Sequence, residues 1–149
     1  MRPGDHAPDF TAVDQAGDTV RLSEMLADGP VVLFFYPKAF TPSCSWESCY
    51  FRDLATEFAA LGAQRVGISA DDVSTQAEFD ARHDLGFPLL SDPDRSVAKS
   101  FGVKRPGPLR NKRTTFVIDT DGSLLDVIAT EFNMETHADA ALAALGDRD

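Results

Sequence analysis

The chain carries two thiols, Cys44 and Cys49, both within YPKAFTPSCSWESCY, residues 36–50. Thr41-Pro42 reads as the N-cap and first position of a helix: the hydroxyl can accept an orphan backbone N–H, and proline suits a site whose donor is not needed. Cys44 then falls in the first turn. Unpaired N–H groups and the positive end of the helix dipole stabilise an anion there, which favours the thiolate, the nucleophilic form of cysteine. Thr41 is three residues earlier, on the same helix face, within reach of the sulfur or of whatever reacts with it. Pro37 and Pro42 restrict the backbone on either side, so the segment is a preorganised, anion-friendly site.

Cys49 poses a question of geometry. In an intact helix, Cα atoms five residues apart lie about 8.6 Å apart and about 140° round the axis, whereas a disulfide tolerates at most about 6.8 Å. Either the thiols never bond or the first turns of the helix unwind when they do. As small helix residues both would be inert; the place of Cys44 in the first turn beside Thr41 favours reactivity instead. CxxC is absent, CxxxxC is not a usual zinc spacing, and His6, His83 and His137 are scattered along the chain. A dithiol reductase is therefore disfavoured and no metal is expected.

A second anomaly is VKRPGPLRNKR, because residues 104–113 hold five of the 14 basic residues and no acid. A solvated loop would explain it. The functional alternative is that Arg113, adjoining a strand, points at the thiolate.

The elements that must position these residues follow one another closely. Two short extended pieces flank the Gly17-Asp18 turn signal, and a helix-like turn begins at Ser23. VVLFFY (31–36) and RVGISA (65–70) read as strands buried on both faces. Between them, Trp46, Tyr50, Leu54 and Phe58 recur every four residues, with Phe51 beside them, predicting one amphipathic helix from Pro42 to Leu61 that ends before Gly62. STQAEFDARHD reads as a helix, FPLL as a short strand and RSVAKSFG as helix-like, the alternation of a parallel α/β sheet. TTFVID and SLLDVIA flank Asp121-Gly122, a hairpin signal, so these strands should be antiparallel. Thr136 with Asp139 predicts the cap of a last helix ending at Gly146. A βαβαβ unit, a hairpin and a closing helix give an α/β, thioredoxin-like fold: a central mixed sheet flanked by helices, with an N-terminal β-hairpin extension.

Composition bounds the function. With 149 residues, 43% hydrophobic and 26% charged, the chain suits one compact domain over 1–149. A net charge of −10 disfavours nucleic acid and anionic membranes as partners. VVLFFY, the longest apolar run, is far short of the roughly 20 residues of a membrane span, and MRPGDHAPDF lacks the apolar core of a signal peptide. A cytoplasmic protein is expected, where bulk reductants keep thiols reduced. No heptad or unusually apolar exposed stripe demands a dimer, so a monomer is expected.

FFYPKAFTPSCSWESCYFRDL resembles the active-site segment of peroxiredoxins, whose PxxxTxxC pattern is matched by Pro37, Thr41 and Cys44. The CxxxxC arrangement and the FRDL continuation are similar to the bacterioferritin comigratory protein, or peroxiredoxin Q, branch. GDHAPDF, LLSDPDRSVAKSFGV and KRTTFVIDTDG extend the resemblance over nearly the whole chain, with Arg113 matching the family's active-site arginine. The resemblance implies reduction of hydrogen peroxide and organic hydroperoxides without a cofactor. Cys44 would be the peroxidatic cysteine, oxidised to a sulfenic acid. Thr41, Arg113 and the backbone N–H groups of Ser43 and Cys44 would hold the peroxide oxygens, and Pro37 would shield the sulfur. Cys49 would resolve the sulfenic acid as an intramolecular disulfide, which a thioredoxin-like partner reduces. Glu47 would support the site, bonded to an arginine. Ala39, Phe40, Ser43, Ser45 and Trp46 depart from the branch's commonest residues and make the mouth more apolar, which suits bulkier hydroperoxides. A peroxide sensor that hands its disulfide to a client, or an interaction module with silent cysteines, would be the other readings of the same residues.

Overall fold

The computed structural model describes residues 1–148. Its centre is the strand β3 (Val31–Phe35), with five consecutive buried residues. Alternation sends Val31, Leu33 and Phe35 to one face of the sheet and Val32, Phe34 and Tyr36 to the other, and each set joins its own apolar cluster. A run apolar at every position is thus a strand covered on both sides.

Around it the sheet has the order β2-β1-β5-β4-β3-β6-β7. The strands β1 (Thr11–Val13) and β2 (Thr19–Arg21) form the antiparallel N-terminal hairpin. The strands β4 (Gln64–Ser69) and β5 (Leu89–Ser91) extend β3 in parallel. On the other side, β6 (Thr114–Ile118) and β7 (Leu124–Ala129) are antiparallel, as the Asp121-Gly122 signal predicts. Gly122 has φ +88°, and a Cβ there would meet the His6 ring at 2.5 Å, so a side chain would strain the turn twice over. The helices are α1 (Leu22–Leu26), α2 (Pro42–Asp53), α3 (Ala55–Ala60), α4 (Val73–His83), α5 (Ser96–Ser100) and α6 (Met134–Gly146). None is long and apolar enough to cross a membrane among the described residues.

Three expectations need correction. The helix predicted from Pro42 to Leu61 is two helices, broken at Leu54 (φ −95°, ψ 20°). The Arg65 guanidinium, reaching over from β4, donates to the carbonyls of Phe51 (2.9 Å) and Arg52 (3.4 Å) and so caps the end of α2. The break resets the helical phase, so the four-residue series does not share one face. α2 buries Cys44, Glu47, Ser48 and Phe51, while Trp46 stands 60% exposed. Finally, α6 starts at Met134 behind Asn133, a left-handed residue with φ 56°. Thr136 is therefore inside the first turn and caps nothing, and Asp139 instead accepts a hydrogen bond from the Tyr50 hydroxyl at 2.7 Å.

Phe51 anchors α2 to the sheet. Its ring stacks on Phe34 of β3 at 4.2 Å and 5°, and Phe58 of α3 continues the stack at 5.7 Å. With Phe51 so fixed, Cys44, Glu47 and Ser48, seven, four and three positions earlier, must face the sheet as well.

Candidate active site

β3 delivers the chain to the site. After Tyr36, the Ala39 N–H donates to Asp71 at 2.8 Å, and Asp71 in turn accepts from the Ser69 hydroxyl at 2.6 Å. This ties the connection, with half-buried Pro37 at its start, to the end of β4. Phe40, at φ 66°, turns the backbone into the helix, and its 42% exposed ring meets Phe79 edge-on. Thr41 is the N-cap by backbone (φ −75°, ψ 148°), but its side chain caps no N–H. Its hydroxyl donates to the Lys38 carbonyl at 2.8 Å instead, engaging neither an amide nor the sulfur. The first N–H to find a helical carbonyl belongs to Ser45, on Thr41 at 2.9 Å, so those of Ser43 and Cys44 precede the helical ladder.

The Cys44 sulfur is fully buried. Arg113, just before β6, brings Nη2 to 3.1 Å from it and to 3.2 Å from the exposed Ser43 hydroxyl. Nη1 of the same guanidinium donates to Glu47 Oε1 at 2.6 Å, with both side chains almost wholly buried. The geometry joins Cys44, Ser43, Glu47 and Arg113, residues 69 positions apart at the sulfur contact. Burial lowers the Arg113 pKa, but Glu47 and the sulfur outweigh it and raise the value overall. Burial also dominates Glu47, pushing its carboxyl up to about 7 although Arg113 pulls it down.

The basic segment serves both of its expected readings. Lys104, Arg110 and Lys112 are exposed, Arg105 is half-buried, and Arg113 alone of the five is buried. Arg95 shapes the loop by donating to the carbonyls of Leu109 (2.6 Å) and Gly107 (2.7 Å). Glu131, after β7, then fixes Arg113 by accepting its backbone N–H at 2.9 Å, and its other oxygen accepts from Arg105 at 3.1 Å. Sequence reasoning missed Glu131, a lone acid after a strand with no signal of its role. It also missed His137, fully buried on α6 with Nδ1 3.6 Å from Glu47 Oε2. Its place among the buried Ala138, Ala141 and Leu145 was the available sign.

Cys49 is half-buried, and both thiols are free. It lines a shallow surface groove with Trp46, Tyr50, Asp53 and Glu135, away from the arginine. The two cysteines lie on one unbroken helix, α2.

A buried thiol at a helix N-terminus beside an arginine, on a thioredoxin-like sheet, defines a cysteine-based redox class of protein. The AhpC/TSA family model matches residues 3–127, and the chain belongs to that family as a peroxiredoxin of the bacterioferritin comigratory protein and peroxiredoxin Q branch. It is similar to the crystal structure of peroxidoxin BcpB from Mycobacterium tuberculosis, with 55% identity and a TM-score of 0.96 over 100% of this chain and 99% of that one. A Xanthomonas campestris bacterioferritin comigratory protein, described for its alkyl peroxide reduction activity, gives 31% identity and a TM-score of 0.85 over 92% and 90% of the two chains. Chloroplastic peroxiredoxin Q of rice is 39% identical over 144 residues, 95% of this chain and 65% of that protein.

Proposed function

We propose that the protein is a thiol peroxidase reducing hydrogen peroxide and organic hydroperoxides, with Cys44 as the peroxidatic cysteine. The observation that carries this reading is the Arg113 guanidinium on the buried Cys44 sulfur at 3.1 Å, itself held by Glu47. The thiolate attacks one peroxide oxygen, the O–O bond breaks, and water or alcohol leaves after taking up a proton. Arg113 and the free N–H groups of Ser43 and Cys44 stabilise the charge that moves from sulfur to the departing oxygen. Thr41 donates its own proton to Lys38, which leaves its lone pairs to accept from the hydroperoxide O–H. Pro37 shields the sulfur, and Glu47 positions the arginine without touching substrate.

Cys49 then attacks the sulfenic acid, releasing water and forming an intramolecular disulfide, which a thioredoxin-like dithiol in the cytoplasm reduces. The monomer carries every residue this cycle uses. Exposed Phe40, just before α2, favours bulkier hydroperoxides at the mouth, whereas Trp46 is on the Cys49 side of the helix. A coupled assay with thioredoxin tests the cycle. Cys44→Ser should abolish peroxide reduction, and Cys49→Ser should consume one equivalent and then stop unless an outside thiol is added. Full turnover by Cys49→Ser would remove the resolving role, and equal specificity constants for hydrogen peroxide and cumene hydroperoxide would remove the preference.

A further inference from the structure

Between β3 and α2 the chain makes a turn, Lys38 to Thr41, that its own backbone does not hold. No backbone hydrogen bond closes it among the described residues. Phe40 stands there at φ 66°, a left-handed conformation that a phenylalanine keeps only when its surroundings impose it. Two side chains do the closing. The Thr41 hydroxyl donates to the Lys38 carbonyl at 2.8 Å, and the Ala39 N–H donates to Asp71 Oδ2 at 2.8 Å. The first bond lies inside the turn and moves with it. Of the two, Asp71 alone holds the turn from outside.

Asp71 is itself fixed by a buried polar cluster. The Ser69 hydroxyl, at the end of β4, donates to the same carboxylate oxygen at 2.6 Å, which leaves the hydroxyl lone pairs for Gln76 of α4. Gln76 Nε2 donates to Ser69 Oγ at 3.0 Å and to the Leu90 carbonyl at 2.8 Å; a carbonyl only accepts, which sets the orientation of the amide. Gln76 Oε1 in turn accepts from the Tyr36 hydroxyl. Tyr36, Ser69 and Gln76 are fully buried. Tyr36 and Ala39, on either side of Pro37, thus reach one satisfied network whose donors all lead to the Asp71 carboxylate, an arrangement that is rigid.

We propose that Asp71 is a positioning residue for the peroxide site at Cys44: by holding the Ala39 N–H it imposes the left-handed turn at Phe40, which sets the Thr41 hydroxyl and the apolar wall of the mouth. Asp71 bonds neither the sulfur nor the arginine network, so its effect passes through one backbone amide. Without that bond, the left-handed state of Phe40 is disfavoured about 5- to 30-fold, as for any ordinary residue. Phe40 then relaxes to negative φ, its ring leaves the edge-on seat against Phe79, and Thr41, the next residue, moves with it.

The kinetic effect rests on the peroxidase reading, whereas the turn does not, so two measurements separate them. NMR of the reduced protein gives the exchange rate of the Ala39 amide and the backbone chemical shifts of Phe40, which report its φ. Asp71→Ala should open that amide to exchange and shift Phe40 and Thr41. Asp71→Asn, whose amide oxygen accepts the same two protons, should restore both. Stopped-flow oxidation of Cys44 by hydrogen peroxide should slow by about 5- to 30-fold in Asp71→Ala and recover most of its rate in Asp71→Asn. Glycine takes positive φ as readily as negative, so in a Phe40→Gly background Asp71→Ala should cost no more than about twofold. The same loss with and without Phe40, or an unchanged rate in Asp71→Ala, would overturn the proposal. Should Asp71→Ala fail to fold, the wild-type Ala39 amide decides: slow exchange supports the clamp, and exchange as fast as in an unstructured chain overturns it. A wild type that reduces no peroxide would instead sink the peroxidase reading, and the Ala39 and Phe40 signals would still decide whether Asp71 holds the turn.

Discussion

Cys44 and Cys49 share a helix, yet their surroundings have almost nothing in common. Cys44 faces the sheet, out of solvent, against an arginine whose position depends on Glu47, Glu131 and a loop held by Arg95. Cys49 lies at the rim of a surface groove, its side of the helix tied to α6 by the Tyr50–Asp139 hydrogen bond. Burial and a guanidinium surround one thiol, while the other is half-buried with its groove open to solvent. Under the proposed cycle, the contrast would explain how a helix can hold two cysteines at a spacing that forbids their bond: the first would need the folded turn for its reactivity, and the second would be used once that turn is given up.

The most severe way to break the contrast is to remove its charge. Arg113→Ala takes the guanidinium from the sulfur and leaves Glu47 without its partner. Oxidation of Cys44 by peroxide, followed by stopped flow, is expected to slow by about 100- to 1,000-fold, the usual cost of losing a preorganised donor to developing charge. A loss of less than about tenfold would mean that the helix N-terminus suffices and the arginine is structural. The same measurement on Cys49→Ser should give a first oxidation close to that of the wild type, since nothing on the Cys49 side touches the reacting sulfur.

A second test follows the helix through the cycle. Joining the sulfurs requires Cα atoms about 8.6 Å apart in a regular helix to come within about 6.8 Å. Amides from Ser45 to Cys49 should therefore lose hydrogen-exchange protection by an order of magnitude or more on oxidation. Those beyond Phe51 should keep theirs, because the Phe34 stack holds that part of α2. Unchanged protection throughout α2 in the disulfide form would mean that Cys49 does not bond to Cys44 within one chain.

The sheet was legible in the sequence because its signals are local: an apolar run at every position is a doubly covered strand, and Asp121-Gly122 between two such runs is a hairpin. The start of α2 was legible for the same reason, since Thr41-Pro42 and Cys44 state their helix positions by type and spacing. What could not be read depends on partners distant in the chain. Arg65 ends α2 at Leu54 from a neighbouring strand, and Trp46, apolar and in phase with Tyr50, is turned outward because Phe51 and the Glu47–Arg113 pair fix the inward face. Glu131 gave no local signal and His137 only its place on the apolar face of its helix, because an acid after a strand and a histidine in an alanine-rich helix acquire meaning only from the arginine and carboxylate they meet.

The gentlest probe touches the Cys49 side alone. Tyr50 donates its hydroxyl proton to Asp139 at 2.7 Å, and that bond, with partial burial and the neighbouring acids Asp139, Glu135 and Glu57, pushes the phenol up to about 12. The sign follows from the donor: a bond given to a carboxylate exists only while the phenol is protonated, so it opposes ionisation. Tyr36, the other tyrosine, is buried and raised further still, so an alkaline absorbance titration resolves Tyr50 first. Asp139→Asn should move that step down towards the ordinary value near 10. Cys44 should keep its rate of reaction with peroxide, because Asp139 bonds Tyr50 and takes no part in the arginine network. Thr136→Ala is the matching control, changing stability by no more than about 0.5 kcal/mol since the hydroxyl caps nothing. If Asp139→Asn slowed Cys44 as well, the two sides of α2 would be coupled through α6, and the independence of the two thiols would have to be abandoned.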